Sequence, residues 1–181
     1  MTHPARPEQA LICHRSTVTD LITGLSTSVV RESDVGFCLR YVVLGDIEHI
    51  ALPAKAAPQH TDNLWRHTCF EAFITAEDEP AYVECNFSPS GAWAMYRFDR
   101  YRTGMTPVVP AAAPRITLQK EKGRLVLEAR MSLEGFAGRP LRLGLSAVIE
   151  DRAKDISYWA LRHPCARPDF HHRAGFILKL D

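Results

Sequence analysis

Lysine is scarce in this chain. Of 22 basic residues only five are lysine and 17 are arginine, and no lysine stands between Lys55 and Lys120. Net charge is nearly absent as well: 21 acidic residues leave a balance of +1. That excludes the basic surface by which a domain holds nucleic acid or an anionic membrane. No apolar run approaches a membrane span. The first residues, MTHPARPEQALICH, lack the apolar core of about seven residues that a secretory signal needs. With five cysteines, an odd number, and no CxxC pair, free thiols in a reducing cytoplasm are expected. Cys69 and Cys85, both in strand-like segments, read as small core residues. No GxGxxG turn and no βαβ unit occur, which argues against nicotinamide or flavin chemistry. Amphipathic helices of ordinary length are missing too.

What remains is strand after strand. The 181 residues, 46% hydrophobic and 24% charged, suit one domain that buries about 70% of its unfolded surface and needs no staple. Residues 1–7 read as an N-terminal extension and 8–181 as the domain. Strands are expected at 8–14, 25–32, 35–45, 68–76, 81–88, 92–99, 115–121, 124–131, 141–150, 155–162 and 176–180. The three within 68–99 form a meander. Lys122-Gly123 is a two-residue hairpin turn, and 151–154 turns a second hairpin. Long connections at 46–65 and 102–114 carry prolines, as does the loop before the last strand. Residues 132–138 read as one helical turn. Ten or eleven short antiparallel strands with little helix make an all-β protein, a single β-sandwich or barrel.

Period-two geometry sorts the side chains. At 68–76, Cys69, Glu71 and Phe73 oppose Phe70, Ala72 and Ile74. At 81–88, Tyr82, Glu84 and Asn86 oppose Val83, Cys85 and Phe87. The third strand sets Trp93, Met95 and Arg97 against Ala94, Tyr96 and Phe98, and 155–162 sets Trp159 and Leu161 against Tyr158 and Arg162. One face of the meander thus mixes aromatics with Glu71, Glu84, Asn86 and Arg97. Aromatic rings beside fixed carboxyl, amide and guanidinium groups suit a sugar, whose C–H face stacks and whose hydroxyls are bonded.

Two segments carry a resemblance. Leu64-Trp65-Arg66-His67-Thr68-Cys69-Phe70-Glu71-Ala72-Phe73-Ile74 is followed by Tyr82-Val83-Glu84-Cys85-Asn86-Phe87-Ser88-Pro89-Ser90-Gly91-Ala92-Trp93. They resemble the central meander of DOMON-like domains and of the related family 9 carbohydrate-binding modules. Ser157-Tyr158-Trp159-Ala160-Leu161-Arg162-His163-Pro164 and Pro168-Asp169-Phe170-His171-His172 are similar to the closing signature of a bacterial, stand-alone subgroup. The resemblance implies an immunoglobulin- or jelly-roll-like β-sandwich with a ligand pocket on one sheet, holding a sugar or a haem in the wider superfamily, and it implies binding more than catalysis.

The expected pocket residues are Trp65, His67, Glu71, Glu84, Asn86, Arg97, Trp159, Arg162 and His163. Trp65 and Trp159 would stack on a sugar or sugar-derived metabolite, Glu71, Glu84 and Asn86 would bond its hydroxyls, and Arg162 would take an anionic group. No cofactor is expected. The weaker readings are a small hydrolase or isomerase using Glu71 and Glu84, a haem held by Met95 and His163, a metal held by His163, Asp169 and His171, Ca²⁺ at Asp62 and Asn63, and an interaction module that pairs through a strand edge, as in a homodimer.

Overall fold

The computed structural model describes residues 8–181, so the 1–7 extension lies outside the described residues. The described residues form thirteen strands. They are β1 (Gln9–Ala10), β2 (Ile12–Cys13), β3 (Ile22–Arg31), β4 (Gly36–Gly45), β5 (Cys69–Ala76), β6 (Tyr82–Phe87), β7 (Trp93–Phe98), β8 (Thr106–Pro107), β9 (Arg115–Glu121), β10 (Arg124–Ser132), β11 (Leu141–Glu150), β12 (Ile156–Ala160) and β13 (Leu178–Leu180). No α-helix occurs among them; the helical turn expected at 132–138 is a 3-10 turn at Glu134–Phe136.

Two antiparallel sheets face each other, the all-β sandwich expected from the strand pattern. The smaller runs β1-β3-β4-β10-β9. The larger runs β2-β12-β11-β5-β6-β7-β8, and β13 pairs with the other end of β11. Two elements depart from expectation. The strand at 8–14 is two strands, because buried Leu11 carries the chain from one sheet to the other. In the proline-bearing connector, the two residues of β8 pair with Tyr96 and Arg97.

The core lies between the sheets. Phe37, Leu39 and Tyr41 of β4 and Leu125 and Leu127 of β10 meet Phe70, Ala72 and Ile74 of β5 and Cys85 and Phe87 of β6. Each large side chain so buried contributes about 1.5–3 kcal/mol. Cys69 and Cys85 are free and sit on opposite faces of the larger sheet, Cys69 bonding the Asn86 carboxamide (Sγ–Oδ1 3.8 Å).

The free edge of β7 is occupied along its length. Trp93 N–H donates to the Gln59 carbonyl (3.1 Å), Thr61 N–H to the Trp93 carbonyl (2.8 Å) and Val108 N–H to the Met95 carbonyl (2.9 Å).

The outer face of the larger sheet is covered, not solvated. Leu64, on a 3-10 turn at Leu64–Arg66, packs from one loop, and Phe170 and Phe176 from another, onto Phe73, Tyr82, Ala94, Tyr96 and Phe98. Gly144 of β11 is glycine because Phe176 rests on it: a Cβ there would lie 2.7 Å from the ring's Cδ1. This second, mixed layer positions the polar residues.

Candidate functional site

Strand register assembles the site. On one rung of the outer face, Ala160, Ser146, Glu71, Asn86 and Ala94 stand side by side across β12, β11, β5, β6 and β7. On the next rung of that face stand Gly144, Phe73, Glu84 and Tyr96. Glu71 and Glu84 are therefore diagonal neighbours, about 7 Å apart at the backbone. The small residues Ala94, Ser146 and Ala160 flank Glu71 and Asn86 on that rung, all of them buried beneath the covering layer.

The polar groups are buried and largely bonded to one another. Asn86 Nδ2 donates to Glu84 Oε1 (2.8 Å), and Ser146 Oγ donates to Glu71 Oε2 (3.5 Å). Glu71 Oε1 has no partner at all. Glu71 is 2% exposed and Glu84 6%. Burial, and then the neighbouring charge of Glu84, pushes the Glu71 carboxyl well above the usual carboxylate range. Burial raises Glu84 too, opposed by its bond from Asn86 and by the charge of Arg102. The pair therefore holds a proton where isolated carboxylates would have lost it.

His171 enters from the covering loop. Tyr82 Oη accepts from Arg102 N–H (3.2 Å) and is hydrogen-bonded to His171 Nδ1 (2.7 Å). The other ring nitrogen, Nε2, lies 3.7 Å from Glu84 Oε2. Burial and the charge of Arg102 push His171 down to about 4, so it is neutral here at neutral pH. At the other end Tyr96 donates its hydroxyl to Asp62 Oδ1 (2.5 Å).

The nine expected pocket residues separate. Glu71, Glu84 and Asn86 come together. Trp65 lies above them on the covering turn, 47% exposed, with the Arg66 guanidinium 5.3 Å from its ring centre. His67 sits at the rim, where its Nδ1 meets Glu150 Oε2 (2.8 Å). That bond and one from Lys154 hold the Glu150 carboxyl low against the opposing effect of burial.

The other four lie elsewhere. Arg97 pairs across from Val83, so it shares the phase of Trp93 and Met95 and points to the exposed margin, while Tyr96 takes the place beside Glu84. Trp159 packs in the inter-sheet core, and Tyr158 holds the outer position instead. Arg162 is exposed just beyond β12. His163 bonds the Ile12 carbonyl (2.8 Å) and packs edge-on against His14. With Arg97 and Arg162 outside, the expected anion contact does not stand beside Glu71 and Glu84. The arginine forks serve other ends, as where Arg173 bonds the Glu77 and Glu79 carbonyls.

The weaker readings are placed as follows. Met95 points into the core, opposite to the face that His171 joins, and His163 is tied to Ile12. Asp169 is held by Tyr101 (2.6 Å) and Arg102 (3.0 Å). Among the described residues no three His, Cys, Asp or Glu side chains are arranged to hold a metal ion. Asp62 serves Tyr96, and Asn63 caps the 3-10 turn in a left-handed conformation. Ser146 and Tyr96 are site residues that pattern reading missed; only the pairing register shows them.

No family model matches the sequence, and neither does any curated protein. Solved structures similar in shape include the following two. A protein from Bacteroides uniformis, provisionally described as carbohydrate-binding, superposes with a TM-score of 0.65 at 14% identity, over 94% of this chain and 84% of that one. A family 9 carbohydrate-binding module from Caldicellulosiruptor kristjanssonii, in complex with cellotriose, gives 0.51 at 12% identity, over 86% and 72%. The likeness establishes the fold: this chain is a two-sheet β-sandwich of the kind found in those proteins.

Proposed function

We propose that the chain is a DOMON-like binding module that takes a small polyhydroxylated ligand, a sugar or sugar-derived metabolite, at Glu71, Glu84, Asn86 and Ser146. One observation carries the reading: Glu71 Oε1 is buried without a partner beside Glu84, Asn86 and Ser146. An unbonded polar atom in such a place costs about 1–3 kcal/mol, which a ligand hydroxyl would restore. The exposed ring of Trp65 on the covering turn supports stacking at the mouth, and the fold likeness to carbohydrate-binding proteins supports the ligand class. Five cysteines, none of them in a disulfide, support action in a reducing compartment such as the cytoplasm.

Titration calorimetry with a panel of monosaccharides tests this. Binding that Ser146→Ala or Asn86→Ala weakens is the expected result. A panel without binders, or binding indifferent to both substitutions, sinks it.

A second reading, acid–base catalysis on such a ligand, is favoured by two carboxyls side by side, Glu71 raised by burial and by the charge of Glu84. One carboxyl would donate a proton while the other accepts one, as in sites where two carboxylates are driven apart in acidity. Release of p-nitrophenol from p-nitrophenyl glycosides by the wild type, abolished in Glu84→Gln, is the outcome it requires.

A further inference from the structure

We infer that the favoured ligand carries an ammonium group, as an amino sugar does, beside the hydroxyls through which the sugar reading, on which this inference rests, would hold it. The argument starts from charge. Two carboxyl groups lie in one buried layer, and every bonding neighbour they have is neutral: the Ser146 hydroxyl, the Asn86 amide and the un-ionised imidazole of His171. Among the described residues no Lys or Arg forms an ion pair with either; Arg102, whose charge Glu84 feels, is bonded to Asp169.

The other groups around them do not supply a cation. Tyr41 beneath and Cys69, Tyr82 and Tyr96 alongside are all pushed up by burial and stay protonated at neutral pH. Asp62, bonded to Tyr96, adds a further carboxylate. A buried pair without a cation cannot carry two negative charges and keeps a proton instead.

An ammonium supplies both missing things. One N–H reaches Glu71 Oε1, which lacks a donor, and the positive charge replaces the proton. The exchange balances: the protonated pair and the ammonium ligand give two carboxylates, a bound ammonium and one proton released to solvent. A neutral sugar leaves the proton in place and forgoes the charge-assisted bond. A carboxylate or phosphate on the ligand meets like charge.

The test is calorimetry on the full chain at pH 7 with glucosamine, glucose and glucuronate, in phosphate and in MOPS, whose ionisation heats differ. Glucosamine is expected to bind about tenfold tighter than glucose, with glucuronate weakest. Its heat should differ between the buffers as a released proton requires, a readout that needs no variant. Glu71→Gln, with folding checked by circular dichroism, should erase both the preference and the buffer dependence. Glucose binding as tightly as glucosamine, or glucosamine binding without proton release, overturns the ammonium inference and leaves the sugar reading standing. If none of the three binds, both fall.

Discussion

The hydroxyl of Tyr41, on the smaller sheet, crosses the core and donates to the backbone carbonyl of Glu71 at 2.7 Å. The two residues lie on facing sheets, so this bond sets the height of the rung that carries the Glu71 carboxyl. The ring itself is held against Phe70, 5.1 Å between centres, and stays put when the hydroxyl is removed. Tyr41→Phe should therefore cost about 1–2 kcal/mol, read as a lower urea midpoint with an unchanged slope, and should weaken ligand binding although Tyr41 touches no ligand.

Glu71 makes stability fall with rising pH. Its carboxyl binds a proton more tightly in the folded chain than in the unfolded one, where the ordinary value is 4.5. The stability so conferred is complete below that value and is lost as pH climbs toward the raised folded one. The melting temperature should drop between pH 5 and pH 8. Glu71→Gln should remove most of that drop and exceed the wild type at pH 8. A profile unchanged by the substitution contradicts a buried, protonated Glu71.

His171 acts in the opposite sense. Held down to about 4 from an ordinary 6.5, it resists the proton that the unfolded chain takes up, so stability is lost as pH falls from 6.5 toward 4. The full shift corresponds to a loss on the order of 3 kcal/mol. His171→Phe should flatten this acid limb in pH-dependent denaturation, while at pH 7 it loses the Tyr82 bond, about 1 kcal/mol.

Trp159 and Arg162 separate fold from site. Trp159→Ala empties a core position and should cost about 3–5 kcal/mol. Arg162→Ala lies on the surface and should stay within about 0.5 kcal/mol of the wild type, with ligand affinity unaltered in the same calorimetry. Loss of affinity in Arg162→Ala at full stability would put an anion contact back into the site.

These two residues also show how far residue order alone reaches. Strand positions were legible wherever apolar and polar residues alternate between turn residues: β9 and β11 fall on the expected bounds, and Gly123, at φ 74°, turns the hairpin between β9 and β10. Glu71, Glu84 and Asn86 were legible because β5 and β6 each set a plainly apolar side against a mixed one.

The method fails where both sides of a strand are apolar or aromatic. In β7, Trp93 and Met95 oppose Tyr96 and Phe98, so alternation cannot say which pair faces the core, and Arg97 goes with the wrong pair. Trp159 and Tyr158 present the same ambiguity. Ser146 sits inside Leu141–Glu150, a run buried at every position but Arg142, and its role appears only once it stands opposite Glu71. His171 reaches Glu84 through a fold of the loop that no periodicity encodes.

The filled margin of β7 has a consequence for behaviour at high concentration. With Gln59, Thr61 and Val108 already bonded to it, that strand offers no backbone groups for another chain to copy. Outermost on this side stands Pro107 of β8, which has no N–H to give. The larger sheet cannot grow past such a rim, so fibril templating from this edge of it is blocked in the folded protein. Assembly through strand pairing is left to the other edges, among them β9 of the smaller sheet.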